Sequence, residues 1–70
     1  GTTAGKAIHL RVLAETNVDL IDVFVTDISG RNISLNFSNR KIFTEKLSNG
    51  IYSLHLKSHN KLYVKKIIKK

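Results

Sequence analysis

Apolar residues recur at every second position in one segment of this chain after another, and that period admits strands and disfavours helices over most of its length. Ile8, Leu10 and Val12 alternate with His9 and Arg11, and Ile21, Val23 and Val25 alternate with Asp22, Phe24 and Thr26. The same step runs through Ile33, Leu35 and Phe37, set against Asn32, Ser34 and Asn36. It returns in Tyr52, Leu54 and Leu56, set against Ser53, His55 and Lys57. Each run predicts a strand with one apolar face toward a core. No capped amphipathic run interrupts them, and turn signals return at intervals of roughly ten residues, the spacing of a sandwich or barrel. The expected fold is all-β, with about six to seven antiparallel strands.

The segments between these runs have turn chemistry. Thr16, Asn17, Val18 and Asp19 read as a turn by composition. In Asp27, Ile28, Ser29, Gly30 the aspartate can bond the backbone ahead of it and the glycine is free to take positive φ, so a hairpin is expected with Arg31 opening its second arm. Ser38 and Asn39 turn the chain again. A shorter strand is expected from Ile42 to Leu47, and Asn49-Gly50 is the strongest tight-turn pair in the chain. Ser58 to Lys61 form the last turn and Leu62 to Ile68 the last strand. There the alternation stumbles: Leu62, Val64 and Ile68 share a phase with Lys66, while Ile67 shares the other phase with Lys65. A bulge near Lys65 and Lys66 would return an isoleucine to the core, and bulges are common on edge strands. Gly1 to Lys6 offer little to pack and much backbone entropy to lose, so they read as a linker or cloning remnant before a domain at residues 7–70.

A chain of 70 residues makes one small domain and leaves little core for an enclosed catalytic cleft. Cysteine is absent, so neither a disulfide nor a thiolate metal site can staple the fold, and no cofactor is expected. An apolar content of 41% argues against disorder. No apolar run approaches the roughly twenty residues needed to span a bilayer, and the polar start does not read as a signal peptide. The formal charge is +7, yet Glu15, Asp19, Asp22, Asp27 and Glu45 are balanced by Lys6, Arg11, Arg31, Arg40 and Lys41. The excess therefore resides in Lys46, Lys57, Lys61, Lys65, Lys66, Lys69 and Lys70, which marks the C-terminal end as an interaction surface. Lysines that guard a solvated sheet edge against aggregation are the plainer reading of the same residues.

Three segments in order add a second line of argument: VFVTDISGR at Val23 to Arg31, LSNGIY at Leu47 to Tyr52, and the basic, hydrophobic terminus KLYVKKIIKK at Lys61 to Lys70. Together they resemble the C-terminal sorting domain, type A, of cargo proteins exported by the type IX secretion system of certain Gram-negative bacteria. The resemblance spans about Ile8 to Lys70 and implies a small immunoglobulin-like β-sandwich. It implies a signal that takes a fused passenger from the periplasm through an outer-membrane translocon, with a sortase-like peptidase then removing the domain for surface attachment. By that resemblance Lys65, Lys66, Ile67, Ile68, Lys69 and Lys70 are the residues a translocon reads. Asp27, Gly30, Arg31, Leu47, Gly50 and Tyr52 are the motif positions. The family commonly opens with tyrosine, proline, asparagine, proline and carries an aromatic where Thr26 stands, whereas this chain has no proline. That departure implies a missing first strand and an unpaired sheet edge.

The same residues have a physical reading. Gly30 and Gly50 permit tight turns, and Tyr52 is expected in the core with its hydroxyl at the rim. Lysines flanking Ile67 and Ile68 describe an edge strand whose backbone could pair with a partner while the ammonium groups meet acids. Open edges also predict a homodimer by edge pairing or strand exchange. Catalysis is not expected: His55 and His59 have the spacing of a zinc pair only on a helix, and no serine sits in a nucleophile elbow. The competing function is an immunoglobulin-like module binding an anionic glycan or nucleic acid, with Tyr63 the one aromatic placed for base stacking. A single aromatic counts against nucleic acid as the ligand.

Overall fold

The computed structural model describes residues 2–13 and 19–70, so the turn expected at Thr16–Asp19 lies, but for Asp19, outside the described residues. The strands are β1 (Thr2–Ala4), β2 (Ala7–His9), β3 (Leu20–Thr26), β4 (Asn32–Ser34), β5 (Phe37–Ser38), β6 (Lys41–Phe43), β7 (Gly50–Ser58) and β8 (Leu62–Lys69). They form two sheets, one in the order β1-β8-β7-β3-β4 and the other in the order β2-β6-β5. The all-β sandwich is as expected.

Its core is made where the inward residues of the two sheets meet. Val23 and Val25 of β3, Leu54 and Leu56 of β7, Ile67 of β8 and Ile42 of β6 are each fully buried, joined by Ala4, Ile8, Leu10, Leu13, Leu35, Leu47 and Tyr52. Each fully buried aliphatic side chain contributes roughly 1.5–3 kcal/mol relative to exposure. β7 organises the larger sheet because its alternation is regular: Tyr52, Leu54 and Leu56 face in, and it pairs antiparallel with β3 on one side and β8 on the other.

Several local expectations change once the partners of each strand are in place. Leu10–Leu13 form a 3-10 turn after β2, so Leu10 and Leu13, three apart, are buried while Val12 is 58% exposed. The bulge lies in β3, where the register shifts between Leu20 and Asp22 and leaves Ile21 exposed. β8 carries no bulge; its pairing with β7 runs unbroken from Leu62 to Lys69. Its inward phase is Tyr63, Lys65, Ile67 and Lys69, and Leu62 and Val64 face out, 53% and 55% exposed. Asn49-Gly50 closes no hairpin, because β6 belongs to the smaller sheet and β7 to the larger. The expected strand at Ile42–Leu47 ends at Phe43, and residues 44–49 cross between layers through a turn in which Leu47 N–H donates to the Thr44 carbonyl at 3.1 Å.

The amino-terminal segment also departs from expectation. Thr2–Ala4, read as a linker with nothing to pack, runs parallel to β8, with Thr2, Thr3 and Ala4 opposite Ile67, Ile68 and Lys69. Ala4 is 2% exposed and belongs to the core. The edge expected to lie unpaired is thus covered over Ile67–Lys69.

Candidate functional site

The three motif segments, far apart in the chain, arrive at one end of the sandwich. The first supplies the β3–β4 turn. Asp27 is held by its own sequence: its Oδ1 accepts from Ser29 N–H at 2.9 Å, Ser29 Oγ–H at 2.7 Å and Arg31 N–H at 3.0 Å. Arg31 Nε lies 3.3 Å from the other carboxylate oxygen. The Ser29 hydroxyl above all, then the Arg31 N–H, holds the Asp27 carboxyl below its usual pKa. Gly30 closes the turn at φ 88°, donating its N–H to the Asp27 carbonyl at 2.9 Å, and this left-handed conformation is what calls for glycine.

The second segment packs beside it. Leu47 is 5% exposed in the core, and Gly50 opens β7 against the ring of Tyr52. Tyr52 is buried with its hydroxyl at the rim, where it donates to the Ser48 carbonyl at 2.6 Å. A tyrosine bonded back to backbone a few residues upstream is the tyrosine corner of immunoglobulin-type sandwiches. Asp27, Ile28 and Arg31 from the first segment line one open cleft of about 190 Å³ together with Ser48, Asn49, Gly50, Ile51 and Tyr52 from the second.

The third segment ends at the same place, since Gly50 lies opposite Lys69 and Ile51 opposite Ile68. Its residues have unequal surroundings. Ile67 is a core residue with no exposed surface. Lys69 is a strut: its Nζ donates to the Gly5 carbonyl at 2.6 Å and to the Thr44 carbonyl at 3.0 Å. Buried Thr44 joins the same knot, donating Oγ1–H to Gly5 at 2.7 Å and its N–H to the Lys6 carbonyl at 2.9 Å. Lys65 and Ile68 are half-buried, on opposite faces, and Lys66 and Lys70 are exposed. On the flank away from β7, Ile67–Lys69 are covered by β1, while no described strand pairs with Leu62–Lys66.

The remaining candidates sit elsewhere. His55 stacks on Phe24 with ring centroids 4.5 Å apart and its Nε2 2.9 Å from Thr26 Oγ1, whereas His59 lies in the exposed turn after β7. Tyr63 packs against the core with Lys61 Nζ 5.0 Å from its ring centre, so its face is not offered to a base. Two residues at the motif end went unnoticed in the alternation pattern: Ile28, 90% exposed, and Ile51, 49% exposed. An isoleucine inside a turn of otherwise polar and small residues, and another out of phase with Tyr52, Leu54 and Leu56, were the available signals.

The family model described as the secretion system C-terminal sorting domain matches residues 4–70. No curated protein and no solved structure matches the chain.

Proposed function

Because the chain belongs to the secretion system C-terminal sorting domain family, and is thereby a C-terminal sorting signal of type IX secretion, we propose that its motif end is what an outer-membrane translocon reads to move a fused passenger out of the periplasm. Membership implies engagement of the type IX machinery and export toward the cell surface or beyond. The finer steps belong to the proposal: a passenger in transit through the periplasm, recognition by the translocon, then removal of the domain by a sortase-like peptidase that attaches the passenger to the surface. The domain acts as an address and contributes no chemistry of its own. What supports this reading is the convergence of the three motif segments at one end of the sandwich, where residues of the Asp27–Arg31 turn and of Ser48–Tyr52 line one open cleft and Gly50 and Ile51 lie opposite Lys69 and Ile68.

The structure also shapes the experiment. Deleting Lys65–Lys70 would remove Ile67 from the core and the Lys69 strut, so failure of such a truncation would report unfolding as readily as lost recognition. Charge reversal at the exposed Lys66 and Lys70 avoids that ambiguity. The chain fused behind a periplasmic reporter is expected to bring the reporter to the surface of a type IX-competent bacterium. Lys66→Glu with Lys70→Glu is expected to hold it in the periplasm while the domain still melts cooperatively. A reporter that never leaves the periplasm with the unmodified domain would overturn the proposal.

A further inference from the structure

Ile28 stands 90% exposed at the tip of the β3–β4 turn, in a position that most residues could fill and that contributes nothing to the core. It shares its cleft with Ile51, 49% exposed, and Ile51 is the cross-strand neighbour of half-buried Ile68. The three isoleucines thus form an apolar ridge running from the turn tip across β7 to β8. Cations border it. Lys66 and Lys70 are exposed on either side of Ile68 along the chain, and the Arg31 side chain, 74% exposed, lines the same cleft as Ile28. The one carboxylate in the cleft, Asp27, is already engaged by Ser29 and Arg31.

We infer that the Ile28–Ile51–Ile68 ridge is a docking surface for a partner protein that presents an apolar side chain flanked by carboxylates. The inference rests on the sorting reading and names the face through which it operates. Apolar residues at the centre of an interface are desolvated and carry most of the affinity, and a cationic rim steers an acidic partner into register. Charge also argues against a second copy as the occupant. A two-fold contact would set the same cationic rims against each other, on chains that each carry +7. Leu62 and Val64 are as exposed as Ile51 but do not line the cleft, which makes them an internal control on the same sheet.

The test titrates the full chain, fused to an inert passenger, against purified type IX translocon in detergent, with reporter export as a second readout. Ile28→Ser combined with Ile51→Ser is expected to weaken binding about tenfold or more and to reduce export, with the melting temperature little changed because both side chains are exposed. Leu62→Ser with Val64→Ser is expected to bind and export like the unmodified domain. Binding should also weaken as salt rises. Ridge variants that bind and export normally would overturn the inference while leaving the sorting reading intact. Equal loss in the control pair would overturn it too. So would a ridge-dependent dimer in sedimentation, or ridge-dependent binding to phosphatidylglycerol vesicles, since each names a different occupant. An unmodified domain that neither binds nor exports would instead strike the sorting reading.

Discussion

Two tight turns show at the residue scale how side chain and backbone trade off. Asn39 and Arg40, between β5 and β6, both have positive φ, 50° and 62°, in the manner of a two-residue hairpin turn. Asparagine tolerates that conformation; arginine gains nothing from it, although its carbonyl accepts the Leu10 N–H at 2.9 Å. Arg40→Gly is therefore expected to stabilise the domain by roughly 0.5–1 kcal/mol in urea unfolding, the relief of strain exceeding the added freedom of the unfolded chain. Gly30 predicts the opposite sign. Open space surrounds it, so Gly30→Ala meets no clash, yet φ 88° makes it destabilising by roughly 1–2 kcal/mol through the backbone alone. Beside it, the lowered Asp27 pKa links the turn to pH. Its folded-state pKa lies below the unfolded value, so its contribution is fully present above the unfolded pKa and is lost as pH falls through the folded one. Asp27→Asn should flatten the acid limb of the stability profile below about pH 4 and leave its neutral region nearly parallel to that of the unmodified domain. The turn at Asp27–Gly30 was legible in the chain because all its hydrogen bonds are local.

At the scale of elements, β8 is where local pattern and long-range pairing disagree. Leu62 and Val64 look like core residues when the strand is read alone. The turn at Ser58–Lys61, closed by the Ser58 N–H to the Lys61 carbonyl at 2.9 Å, sets Lys57 opposite Leu62 and so carries Tyr63, Lys65 and Ile67 to the face of Leu56, Leu54 and Tyr52. A one-residue slip would turn every side chain over, and β7, with the stronger alternation, sets the phase. β1 was equally hidden: three small residues carry no apolar pattern, and their place depends on pairing with Ile67–Lys69 and on Lys69 and Thr44, far along the chain, which bond the carbonyl of the adjoining Gly5. Lys69→Met, which keeps the stem but loses both hydrogen bonds, is expected to destabilise by about 1–2 kcal/mol. Its sharper signature should be faster hydrogen exchange in β1 and at the β8 amides opposite it, with the β3–β7 amides less affected. Uniform acceleration throughout would show that the strut supports the whole fold and not this edge.

For the whole molecule, the excess of lysine over acid is a stability term as well as a recognition feature. With +7 on 70 residues, self-repulsion should make the domain more stable as salt rises from about 0.01 M to about 0.15 M, read as a higher melting temperature; a lower one would show that ion pairs outweigh repulsion. Two-residue periodicity was enough to establish an all-β chain with its core on Val23, Val25, Leu54 and Leu56, because burial on one face of a strand is written into adjacent positions. Three short motifs were enough to indicate the family, since their order and spacing survive in the linear chain. Neither could reveal that Asn49-Gly50 joins two sheets, that Ile67 and not Val64 fills the core, or that Ile28 shares a cleft with Ile51, the cross-strand neighbour of Ile68. Those outcomes depend on which strands become neighbours, and that is settled by the packing of residues tens of positions apart, where local pattern carries no information.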